Sequence, residues 1–537
     1  MRLATPVYQT LTRQERVLNF KGYNKKSVID DGEIREMKNL SSDEHPCLYQ
    51  RKPRGIYTYI DTTVRPEYLS MMSKDDKLAV IGDDGNFYYD GELVIGINGL
   101  TEDTQMVAIN TKICFFPDKK YYDVKSGRCG NLEVSFALDG AGTVIVTSSS
   151  ITFPEGAGVI TGFAAGDTVT CVASDVRLNI SAEIINVTEH TITFPRDTFL
   201  DIVAEGEDEV SVTLTDFSMS RSCPDLDFVI EANNRLWGVS NKDNTIYACK
   251  LGDPTNWQYF QTTNMDSYYA EQGTDGEWTG CAAYSGHLLF FKEDYIHKVY
   301  GSKPSEYQIE TAKCHALEKG SGKSIAIINE TVLYKSRLGI MAYAGGTPFL
   351  ISENFGSDKY TNAVAGTDGM KYYVSAEING KYEMMVYDME KFLWHKEDDT
   401  KVRDFCYHNG RMLFINDADG NIYEMASDKP YWKDTPINWM AQFGPFDEFA
   451  EDKKVYSKVK MRMSLEKGSI VYVYISIDDG EWEHIETITS ARESSQLVPV
   501  VPRRCNKFSV KLEGVGYCKV ESMVREYRLS TSRRDVR

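Results

Sequence analysis

The 537-residue chain predicts an all-β fold: a β-propeller of six or seven blades, with an inserted small β-barrel-like domain and a C-terminal β-sandwich. Three observations carry this reading. Helical periodicity is almost absent, and short alternating apolar runs are broken by Asp-Gly, Asn-Gly and Gly-Gly, the pattern of hairpins. A unit of apolar strand, acidic or glycine turn and Tyr-bearing strand recurs every 40 to 50 residues, the period of propeller blades. Aromatic residues make up 12% of the chain, including 33 Tyr and 23 Phe, which suits sheet surfaces better than helical bundles.

Residues 1–55 contain no blade unit and read as an extended N-terminal arm. The propeller begins in 56–130, with "DKLAVIGDDGNFYYDG" from Asp76 and "TKICFFPDKKYYDV" from Thr111. The next unit, "NRLWGVSNKDNTIYAC", starts only at Asn234, so the gap is too long by about 80 residues. Residues 131–216 fill it with short strands and a Gly162, Gly166, Asp167 turn, and are assigned to the inserted domain. The propeller resumes over 217–430, with units from Gly286, Thr331, Met370 and Gly410. A single blade cannot bury both faces of its sheet, so blades are stable only when packed together. Longer alternating strands over 431–527 predict the sandwich, and 528–537 is a basic tail.

Composition limits function. The formal charge is -19, which argues against wrapping nucleic acid through phosphate contacts. The 11 Cys form no CxxC pair, and the dispersed His make no HExxH, so neither a disulfide framework nor a metal site is expected. No signal-like apolar segment opens the chain and no run of about 18 apolar residues occurs, so synthesis in a cytoplasm is expected. No cofactor is expected.

Several local motifs reduce to turn chemistry. "GSGKS" (320–324) ends like a P-loop, but Leu317 stands where its first Gly belongs and "IAIINETVLYK" follows as strands; a turn with a solvated Lys323 is the better reading. "SIDDGEWEHI" from Ser476 resembles an Asp-box with Trp482 one position early, and reads as an Asp-Gly hairpin. "NDADGN" from Asn416 puts Ile415 where a calcium loop needs an acid, and reads as a tight turn. Trp257, in "LGDPTNWQYF", is expected to anchor the core between blades. No nucleophile turn or distinct carboxylate pair emerges, so no catalytic residue is assigned.

The stretch "NFKGYNKKSVIDDGEIREMKNLSSDEHPCLYQRKPRG", with Gly22, Asn24, Asp31-Gly32-Glu33, Asn39-Leu40-Ser41, Pro46, Arg51 and Arg54, resembles the opening of tailed-bacteriophage structural proteins. The likeness is to the β-propeller tail tube or nozzle proteins of short-tailed phages. "NRLWGVSNKDNTIYACKLGDPTNW", "LYKSRLGIMAYAGGTPFLIS" and the close "VYVYISIDDGEWEHI" are similar to blades and strands of such proteins. The resemblance implies a non-enzymatic virion protein in a homo-oligomeric ring, often sixfold, around a channel that genome DNA passes through without specific binding. Its partners would be other tail or head-tail connector proteins. It implies an anchoring role for the arm, with Phe20, Asn24, Arg51, Lys52 and Arg54 as contact residues. Arg51, Lys52 and Arg54 form a basic cluster whose expected partner is a carboxylate-rich neighbour, the plainer reading being a solvated turn. The alternatives are a receptor- or carbohydrate-binding propeller and, ranked last, a propeller enzyme acting on polysaccharide.

Overall fold

The computed structural model describes residues 11–60, 65–138, 140–203, 207–448, 450–489 and 494–529; the basic tail from 530 lies outside them. The fold is all-β and propeller-type. Among the described residues, seven four-stranded antiparallel blades follow one another in the chain. The chain divides into two compact units, 60–322 and the pairing of 1–59 with 323–537.

The unit formed by 60–322 holds four blades and the insertion. Blade 1 runs from Tyr68–Lys74 to Glu92–Leu93, and blade 2 from Gln105–Ile109 to Arg128–Asn131. Blade 3 runs from Phe228–Ala232 to Tyr268–Glu271, and blade 4 from Trp278–Tyr284 to Gln308–Lys313. The first strands of successive blades pack against each other, and the fourth strand of each is outermost. Hairpin chemistry sets the register. Asp75 and Asp76, and Asn233 and Asn234, sit at φ between 53° and 59°, the left-handed pair that a two-residue turn requires. A second device recurs between strands two and three. Asp84 accepts from the Tyr88 hydroxyl at 2.7 Å, Asp243 from Tyr247 at 2.5 Å and, in blade 7, Asp419 from Tyr423 at 2.7 Å. The recurring acidic turn and tyrosine of the sequence are thus one brace repeated.

The insertion spans Val134–Ala137 to Phe217–Arg221, so its last strand lies beyond the boundary at 216, pairing with its first. It is two sheets, of four and five strands, closed on one apolar core that includes Val144, Ile151, Val169, Ile192 and Phe217. This corrects the barrel-like expectation: the sheets face each other as a small sandwich.

The other unit holds blades 5 to 7 and the large sandwich. Blades 5 and 6 run from Ala326–Ile328 to Phe349–Leu350 and from Thr361–Thr367 to Leu393–Lys396. Blade 7 has three strands from 402–424, and its outer strand is Gly55–Ile56 from near the N-terminus. The sandwich has a six-stranded and a seven-stranded sheet. Here the N-terminal segment departs from expectation. Arg13–Val17 pairs with Cys518–Leu529, Glu33–Lys38 with Asn438–Phe446, and Leu48–Gln50 again with Cys518–Leu529. Residues 13–50 are therefore strands of the sandwich and not an arm apart from it. The reason is burial: Val17, Phe20, Tyr23, Ile34, Met37, Leu40 and Leu48 belong to the same core as Val459, Met461, Val473, Leu512 and Tyr527.

Candidate functional site

The segment that carries the family resemblance is built around two arginines and three carboxylates. Asn39 opens the arrangement with φ +54°, a left-handed position asparagine tolerates. Its Nδ2 donates to the Asn438 carbonyl at 2.7 Å, and its Oδ1 accepts from Arg51 Nε at 2.8 Å. The Arg51 fork then donates both Nη groups to Asp434, at 2.8 and 2.6 Å. The Arg54 backbone N–H reaches the same carboxylate at 2.6 Å.

Arg54 points the other way. Its Nη2 meets Glu397 at 2.8 Å, its Nη1 meets Asp398 at 2.8 Å and the Thr400 hydroxyl at 2.8 Å, and its guanidinium lies 5.0 Å from the Phe414 ring centre. Burial pushes the Glu397 carboxyl up despite the two arginines beside it. Burial acts the same way on Asp398, but the Arg54 and Arg51 charges and the Thr400 hydrogen bonds outweigh it and hold that carboxyl down. Arg54 is held above its ordinary value by the surrounding acids, again against burial.

The structure thus brings together Arg51 and Arg54, and it places their carboxylate partners within this chain, directly after the last strand of blade 6 and in the turn at Trp432–Asp434. This corrects the expectation of a carboxylate-rich neighbouring molecule: at 4% and 6% exposure neither arginine can present a contact surface. Phe20 is also buried, 5.7 Å from the Phe443 ring, and Asn24 is buried with its Oδ1 accepting the Lys26 N–H at 3.1 Å. Of the five predicted contacts only Lys52 is exposed. Sequence reasoning missed Asn39 as an organiser, and Glu397, Asp398 and Asp434 as partners. Only the first had a local signal, an Asn in the left-handed position before Leu-Ser; the acids lie more than 340 residues away.

The remaining motifs are turns. Gly322–Ser324 is one 3-10 turn; the Ser324 hydroxyl accepts the Lys335 N–H at 3.0 Å, and Lys323 reaches the Arg403 carbonyl at 3.4 Å. Residues 478–482 join two sandwich strands, with Asp478 accepting from the Asn506 and Lys507 N–H groups. In "NDADGN" the Asn416 and Asp419 side chains accept backbone N–H groups two residues ahead. Trp257 packs edge-on against Phe116 of blade 2 at 6.4 Å, and its indole N–H donates to the Pro254 carbonyl.

No family model matches the chain, and no curated protein matches it. Among solved structures it is similar to YCF48 bound to D1 peptide (9% identity, 71% of this chain and 96% of that one, TM-score 0.34). It is similar to the computationally designed Ika8 protein (10%, 68% and 98%, TM-score 0.33). It is also similar to Hsv2 of Kluyveromyces marxianus (12%, 53% and 95%, TM-score 0.28). All three TM-scores lie below 0.5, so these likenesses carry no argument about activity. The class that the sheets themselves define is an all-β, propeller-type protein.

Proposed function

We propose that this chain is a non-enzymatic structural protein of a phage tail, a nozzle, tube or hub component that forms a ring around the DNA channel and docks neighbouring tail proteins. The observation that carries the reading is the N-terminal stretch quoted above. Three of the residues named there, Asn39, Arg51 and Arg54, help tie the sandwich to the last blades of their unit, and the Gly55–Ile56 strand that follows completes blade 7. Such cross-bracing suits a part that bears load and does no chemistry. A charge of -19 per chain, multiplied around a ring, would keep DNA from adhering to the wall. Heterologous contacts whose rotation closes would generate the ring.

The test is the mass of the purified protein by light scattering, with electron microscopy of the same sample and mass spectrometry of purified virions. The expected result is a ring of several copies with a central opening. Monomers at every concentration, together with absence of the chain from virions, would overturn the reading.

A further inference from the structure

Where the insertion leaves blade 2 and returns to blade 3, within the 60–322 unit, the chain forms an open cavity of about 400 Å³. That is the range of small-ligand pockets, which run from about 300 to 1,000 Å³. One wall is a fixed web of charge. Lys119 of blade 2 binds Glu133 at 2.6 Å and Asp225 at 2.7 Å, and Lys242 of blade 3 binds Asp225 at 2.8 Å. Asp243 also lines the cavity, so three carboxylates face two ammonium groups. A site without net positive charge does not select phosphate, sulfate or a nucleotide.

Ser240 is the second observation. It is 1% exposed and lines the cavity. Its hydroxyl can both donate and accept, so it adds one neutral polar group to the wall. Two more lining groups have spare capacity. Gln258 uses its Oε1 to accept from Thr170 at 3.2 Å, which leaves its amide donors. Tyr247 donates to Asp243, which leaves its oxygen as an acceptor. Trp257 has committed its N–H to Pro254, so it offers the cavity only apolar ring surface.

We propose that this cavity binds a neutral saccharide of one or two rings. Fixed donors and acceptors at several angles, an indole surface and no surplus cation fit a polyhydroxyl ligand. The inference does not depend on the tail reading. The full chain would be titrated with glucose, galactose, lactose and maltose, following Trp fluorescence and saturation-transfer NMR, with inorganic phosphate and glucuronate as anionic probes. A glycan array would separate a free sugar from the end of a polymer. The expected result is saturable binding of at least one neutral sugar, with a Kd of about millimolar or tighter. Ser240→Ala and Gln258→Ala should each weaken it about fivefold, the worth of one neutral hydrogen bond. Thr143→Ala, on the outer face of the insertion, should leave it unchanged. The proposal is overturned if no neutral sugar binds up to about 100 mM, where a millimolar site is full. It is also overturned if phosphate binds in preference, or if both cavity variants, shown folded by their melting curves, bind sugar as the parent does.

Discussion

Arg54 shows how a residue can look like a docking contact in sequence and be a core residue in space. It is the cation between Glu397 and Asp398, and neither acid has another arginine as near. Replacing it with Met would leave two buried carboxylates with only Arg51, at 3.9 and 3.7 Å, to balance them, so Arg54→Met should destabilise the protein by about 3 kcal/mol in a denaturant titration. Charge reversal at Arg51 or Arg54 therefore reports on folding before it reports on assembly. Lys52→Glu is the variant that tests docking. His395 sets a pH dependence. It is buried, and burial together with the nearby Lys371 charge depresses its pKa to about 3. The unfolded chain, with a histidine pKa near 6.5, binds the proton first, so stability is lost as pH falls below about 6.5. Between pH 6.5 and 5 the loss from this residue should approach about 2 kcal/mol, and His395→Gln should flatten that part of the stability profile.

At the scale of elements, the turns argue most directly from sequence to structure. Asn-Asn, Asp-Asp and Asn-Gly turns adopt left-handed backbone at little cost, but blade 5 turns through Asn329 and Glu330, with Glu330 exposed at φ +58°. Glu330→Gly removes that strain and should stabilise the protein by about 1 kcal/mol, read from the denaturation midpoint. The N-terminal strands make the opposite prediction. Deleting 1–17 removes the edge strand Arg13–Val17 and one buried valine, a loss of about 1.5–3 kcal/mol. Deletion through Lys38 also removes Phe20, Tyr23, Ile34 and Met37 from the core, and should abolish soluble expression of the folded sandwich.

For the whole molecule, the insertion is the separable part. Its first and last strands pair Val134 with Arg221, which puts the two ends about 5 Å apart, so a short Gly-Ser link can replace 134–221. It has its own core, and it is held to its unit by the Arg221 contacts with the Asn131 and Leu132 carbonyls and by Asn256, which accepts the Thr168 N–H at 2.6 Å. The excised protein should stay folded by circular dichroism. It should keep the saccharide binding proposed above in weakened form, because every residue lining the cavity lies outside 134–221 and only Thr170, the partner of Gln258, is removed.

The sequence by itself determined what depends on near neighbours: strands, hairpin turns, the blade period, and an insertion recognisable because it interrupts that period. Asp84 and Tyr88, or Asn233 and Asn234, act within five residues, so their physics is local. Tertiary structure decided what depends on burial between distant segments. The pairing of Arg13–Val17 with Cys518–Leu529 joins residues about 500 apart, and an alternating apolar strand does not say which edge it will meet. The same holds for the arginines: a charge run is read as solvated until the fold brings Asp434, Glu397 and Asp398 to it and removes the water.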